Sequence, residues 1–175
     1  NVFRTGGMHE ARDGTLWAGS AVFPDSVGTQ SGISRFDGTT WTTVEVPVGS
    51  PRPNILDIHQ TQDGALWFST WRQGLLRFDS VSGSDGGWTR YTTEDGLAGN
   101  TTSGILEARD GSLWVASSGA GINRFDGKKW HAYTAGDGLP EGGRFRSLWQ
   151  MADGAIWTIG GDGELCRFDG TAWQY

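Results

Sequence analysis

Short apolar runs alternate with polar positions along this chain, and each run ends within a few residues at glycine, aspartate, asparagine or serine. Strict alternation puts successive side chains on opposite faces of an extended strand. Between residues 104 and 134 the pattern predicts four strands: Gly104 to Ala108, Leu113 to Ala116, Ile122 to Phe125 and Lys129 to Thr134. Asp110-Gly111 and Asp126-Gly127 are tight turns between them, since Asp bonds its own backbone and Gly accepts positive φ. Ser118 to Gly121 forms the middle turn. No stretch carries a helical period, and 29 glycines supply the many turns such a fold needs.

The pattern repeats. Asp-Gly-x-Leu/Ile-Trp begins at Asp13, Asp63, Asp110 and Asp153, at a spacing of roughly 42–50 residues. Its tryptophans are Trp17, Trp67, Trp114 and Trp157. Arg-Phe-Asp follows, at Arg35, Arg77, Arg124 and Arg167, and a second tryptophan closes each copy at Trp41, Trp88, Trp130 and Trp173. The units are 1–46, 47–93, 94–134 and 135–175. In the third, Leu113 and Val115 point one way and Trp114 the other, so both faces of the sheet need a neighbour. The predicted fold class is therefore all-β: four four-stranded antiparallel sheets stacked as blades of a β-propeller.

Repetition also sorts the candidate chemistry. Active sites are normally unique, whereas these acids, arginines and tryptophans come in fours, so they read as blade architecture. The arginines are expected to pair with an acid or carbonyl in each blade. Cys166 is the single cysteine, which precludes an intrachain disulfide. It takes a position held elsewhere by Ser34, Leu76 and Asn123, a small packed site. The net charge of −6 argues against a nucleic-acid partner, and no apolar run of about 18 residues suggests a membrane span. Lys128 and Lys129 lie in a turn, and Asn100-Thr101-Thr102 matches a common glycosylation pattern.

Asp-Gly-x-Leu-Trp, then Gly-x-x-Arg-Phe-Asp-Gly-x-x-Trp, then Asp-Gly-Leu at Asp95 and Asp137, resembles the two-component regulator propeller repeat. The resemblance runs over all four copies. It implies a bacterial periplasmic or extracellular sensor region, commonly of a hybrid histidine kinase responding to polysaccharide fragments. Full propellers of that family usually have about seven blades, against four here. With no strand left over to interlock the ends, the expected completions are an eight-blade homodimer ring or further blades of a longer propeller.

Propeller ligands generally bind on loops at the channel mouth, where the copies differ from one another. The first copy carries an insertion, residues 21–30, that contains Phe23, and the second has Trp71-Arg72-Gln73 in the equivalent loop. Loops entering the inner strands supply Arg4, Arg52, Asn54, Asn100, Arg144 and Arg146. Arginines on an acidic protein suit an anionic ligand such as a uronate-containing glycan, and Trp71 beside Arg72 suits sugar stacking. Asn54 and Asn100 have a competing reading as turn formers. One inner-strand position holds His9, His59, Leu106 and Trp149, which reads as packing. The next alternates as Glu10, Gln60, Glu107 and Gln150. With no third ligand position repeated, the two histidines predict no metal site, and no cofactor motif is present.

The expected function is thus a non-catalytic, ligand-binding sensor domain, with a protein-interaction scaffold as the alternative. A lyase or hydrolase would need an unrepeated acid/base pair, for which Asp25, Glu141 and the histidines are the available groups.

Overall fold

The computed structural model describes residues 4–21, 31–50, 52–79 and 87–175. These form four antiparallel four-stranded sheets, each with its strands in chain order. The first contains β1 (Arg4–Glu10), β2 (Leu16–Ala21), β3 (Gly32–Phe36) and β4 (Trp41–Val44). The second contains β5 (Ile55–Gln60), β6 (Leu66–Thr70), β7 (Leu75–Asp79) and β8 (Gly87–Tyr91). The third contains β9 (Thr102–Glu107), β10 (Leu113–Ser117), β11 (Gly121–Phe125) and β12 (Trp130–Tyr133). The fourth contains β13 (Leu148–Gln150), β14 (Ile156–Ile159), β15 (Leu165–Phe168) and β16 (Trp173–Gln174). Among the described residues, helix is confined to single 3-10 turns at Thr93–Asp95 and Ala135–Asp137. The predicted strands of the third copy are present, with β9 beginning two residues earlier than its apolar run. A register shift between Val115 and Ser117 lets Thr102 join the ladder opposite Ser117.

The chain divides into two compact units, residues 1–90 and 91–175. In the first, the Trp17 face of one blade packs on the Phe78 face of the next. Trp17 lies 5.4 Å from Phe78 and 5.8 Å from Phe68 between ring centroids, and Phe78 lies 4.9 Å from Trp88. Ile33, Ile55, Leu66 and Leu76 complete that core. Gly19 makes it possible, because a Cβ there would sit 2.3 Å from the Ile55 side chain. The second unit repeats the arrangement. Trp114 lies 5.1 Å from Phe168 and 6.1 Å from Trp173, and Tyr133 stacks on it at 5.7 Å. Each tryptophan contributes roughly 150–250 Å² of buried surface. β6 and β10 are buried at every residue.

The repeated polar groups serve the same architecture. The carboxylates of Asp13, Asp63, Asp110 and Asp153 accept the backbone N–H two residues on, at 3.0–3.1 Å. Arg77, Arg124 and Arg167 reach Asp63, Asp110 and Asp153 at 3.2, 3.0 and 3.3 Å. Such half-exposed pairs contribute about 0–1 kcal/mol each. Arg35, Arg77 and Arg124 also lie over Trp17, Trp67 and Trp114, at 5.4–5.7 Å from the rings. The tryptophan N–H has a local acceptor in three blades: Thr15 at 3.1 Å, Thr61 at 3.1 Å and Ser112 at 3.0 Å. In the fourth, Ala155 takes that place and the Trp157 N–H has no protein acceptor.

The alternation of glutamate and glutamine has a structural cause. Gln60 accepts the Arg12 backbone N–H at 2.9 Å and donates to the Gly64 carbonyl at 3.0 Å. Gln150 does the same with Arg109 and Gly154, at 2.9 and 3.1 Å. The guanidinium groups of Arg12 and Arg109 add bonds to the carbonyls of Gln62 and Ala152, at 2.8 and 3.2 Å. Only an amide both accepts and donates, so glutamate cannot fill this role. Each unit is therefore a latched pair of blades, and the deeper period of the sequence is two blades.

Candidate functional site

Two groups of predicted site residues gather, one in each unit. In the second unit the chain from Leu139 to Ser147 leads into β13. Phe145 is 1% exposed, in the core with Trp114 and Trp173. In extended chain its neighbours Arg144 and Arg146 must then point the other way, and both are exposed. The backbone beneath them is fixed. Ser103 donates to the Phe145 carbonyl at 2.9 Å, and the Gly104 N–H donates to the Arg146 carbonyl at 2.7 Å. A Cβ at Gly104 would lie 2.4 Å from that carbonyl oxygen, so this approach needs glycine.

These arginines border a cleft of about 330 Å³ with Ser147, Trp149, Ile159 and the Gly160-Gly161 turn. A Cβ on Gly161 would stand 2.9 Å from the Arg144 Cβ, so the turn leaves room for that arginine. Trp149 pairs with Trp157 across the ladder and remains 44% exposed. The cleft thus presents two guanidinium groups, which bind carboxylates in forked geometry, beside an open indole. The sequence pattern alone reads Trp149 as channel-side or interblade packing. Its signal was the unrepeated identity of the side chain at a position otherwise held by His9, His59 and Leu106.

In the first unit, the Trp71 N–H donates to the Asn54 carbonyl at 2.9 Å, which joins the β6–β7 loop to the segment entering β5. The Arg72 guanidinium lies 5.5 Å from the Trp71 ring centroid. Arg72 also has φ of 63°, the one positive value at a non-glycine among the described residues. Gly119 takes the equivalent place in the third blade, with φ of 78°. Arg52 is exposed on the same approach, its carbonyl accepting from Ser31 at 2.8 Å.

The remaining candidates separate. Asn100 accepts the Thr93 N–H at 2.9 Å, shaping the turn after β8. Arg4 opens β1 opposite Ala21, with its side chain outside the described residues. Phe23 and Asp25 also lie outside them. Glu141 is exposed and is not among the residues that line the cleft. Cys166 is buried, and burial together with Glu164 pushes its thiol up to about 11, which keeps it protonated and unreactive at neutral pH.

His9 and His59 do approach each other, with ring centroids 6.3 Å apart. Burial lowers both from the ordinary value of 6.5, and His9 adds to the lowering at His59. No group of three metal-ligating side chains gathers among the described residues. No helix among them is long and apolar enough to cross a membrane.

No protein-family model matches the sequence, and the search of curated proteins returned no match. Solved structures do match. The extracellular domain of BT3049, named a hybrid two component system, from B. thetaiotaomicron superposes with a TM-score of 0.73 at 20% identity. That of BT4673 from the same organism gives 0.74 at 20% identity. Virginiamycin B lyase from Staphylococcus aureus gives 0.66 at 19% identity. These matches cover 95–98% of this chain, but the chain spans 22%, 24% and 55% of the respective structures. The four sheets are β-propeller blades, and the chain shares that fold with extracellular domains of hybrid two component systems.

Proposed function

We propose that this chain is a non-catalytic, extracytoplasmic ligand-binding domain of a sensor, and that its ligand is an acidic oligosaccharide held by Arg144, Arg146 and Trp149. The observation that carries the reading is the fixed pair of exposed arginines on either side of buried Phe145, bordering a cleft with an open indole. The arginine forks would take uronate carboxylates, and the indole face would take the apolar C–H side of a sugar ring. Arg72 beside Trp71 offers the same two chemistries within the first unit. A sensor role and a location outside the cytoplasm are supported by the extracellular domains that share the fold.

A thermal-shift panel of acidic and neutral oligosaccharides tests this. An acidic glycan should raise the melting temperature of the wild type and not that of Arg146→Ala or Trp149→Ala. Equal stabilisation by neutral glycans, or stabilisation that survives both substitutions, would overturn it. The S. aureus lyase shares the fold, so turnover of a bound glycan is the specific competing outcome. Product formation lost in Glu141→Gln would decide for an enzyme.

A further inference from the structure

Within the first unit, β1 and β5 are held in close contact by their backbones. A Cβ on Gly6 would overlap the Ile55 carbonyl oxygen, and one on Gly7 would stand 3.0 Å from the Ile58 nitrogen. Just beyond, the Gln60 amide accepts the Arg12 N–H at 2.9 Å and ties the strand ends together. Between these anchors stand His9 and His59, with ring centroids 6.3 Å apart and ring planes at 50°. Backbone contact on both sides therefore sets the spacing of the two imidazoles.

The Nε2 of His59 is buried and has no hydrogen-bond partner. Among the described residues it is the one possible metal ligand left so. Buried polar atoms normally have a partner, and either tautomer leaves this one unanswered. Two imidazoles that bind one ion through nitrogens at about 2.0–2.1 Å have ring centroids roughly 5–6.5 Å apart. The observed 6.3 Å lies at the wide end of that range, and His9 is only partly buried, so a small rotation of its ring closes the gap. Burial keeps both rings neutral, the form that binds metal. Of the two charges nearby, Asp57 acts on both rings more strongly than Arg12, so the local field favours a cation. The Arg12 guanidinium is itself committed to the Gln62 carbonyl at 2.8 Å.

From this we infer that His9 and His59 together bind a divalent ion of the zinc–copper class, with water in the remaining positions, and so clasp β1 to β5. Imidazole nitrogens suit zinc and copper, whereas calcium and magnesium take oxygen ligands. No third protein ligand joins the pair among the described residues, which leaves positions for water. The repeat pattern gives no sign of such a site, because it arises only where two strands distant in sequence meet. Neither histidine lines the arginine cleft, so this inference and the glycan reading stand or fall separately.

Thermal melting and calorimetric titration of the untagged chain, stripped with a chelator and then given zinc chloride or copper(II) chloride, test the inference. Each ion should bind saturably and raise the melting temperature, copper binding the tighter, while magnesium chloride should do neither. The copper form should show two nitrogen ligands by electron paramagnetic resonance. His9→Gln and His59→Gln should each weaken binding at least about tenfold, a loss that removal of an outer-shell partner alone can cause. His131→Gln, which removes the histidine beside Asp126, should bind as the wild type does. His9 is partly exposed, so His9→Gln, shown to be folded by circular dichroism, decides even where His59→Gln unfolds. Absence of saturable binding by either ion, binding unchanged in His9→Gln, or binding lost in His131→Gln would overturn it.

Discussion

At the level of single residues, the copies of the repeat act as controls for one another. Arg72 has a left-handed backbone where the third blade uses Gly119. An L-residue with a side chain pays about 1–2 kcal/mol for that conformation, so Arg72→Gly should raise the unfolding free energy by about 1 kcal/mol. If Arg72 contributes to binding, the same variant should bind the ligand more weakly; denaturant titration and ligand titration of one protein check both.

The ionisable residues predict two separate losses of stability on acidification. His9 and His59 are held below 6.5, chiefly by burial, with Asp57 opposing and Arg12 assisting. The unfolded chain therefore binds protons first, and stability should begin to fall as pH drops below 6.5. Asp126, held by the backbone N–H groups of Lys129 and Lys128, lies at about 2 against an ordinary 3.8. Asp169, held by the Thr171 hydroxyl and the N–H groups of Ala172 and Thr171, also lies at about 2. Their contribution is present above pH 3.8 and lost as pH falls toward 2. Denaturant titrations across pH should show both declines, with the first reduced in His59→Asn and the second retained.

At the level of the element, the sequence disclosed most of the blade. Asp-Gly turns, alternating strands and paired tryptophans are local features whose physical cause lies within a few residues of each. Trp114→Ala should cost about 3–5 kcal/mol, since it empties a core built from three aromatic neighbours. The glutamate–glutamine alternation was visible too, but its meaning was not, because Gln60 acts on Arg12, 48 residues away. Gln60→Glu should destabilise the first unit by about 1–2 kcal/mol through loss of the donor to Gly64, measured by thermal melting. Trp149 stayed hidden for a similar reason. It borders its cleft opposite the Gly160-Gly161 turn, a neighbour that periodicity does not reveal.

For the whole molecule, the repeated residues build the blades, and the recognition chemistry proposed above lies in the departures from repetition. Arg144 and Arg146 are legible as unrepeated arginines, while their common direction comes from the burial of Phe145 between them. The shared fold extends to extracellular domains of hybrid two component systems and to a lyase, so the cleft and not the propeller must decide the activity. The most direct test is calorimetric titration of the chain with a uronate-containing oligosaccharide at low and high salt. The account predicts saturable binding that weakens with salt and is lost in Arg144→Ala/Arg146→Ala, with the fold intact by circular dichroism. Binding unchanged in that double variant would contradict it.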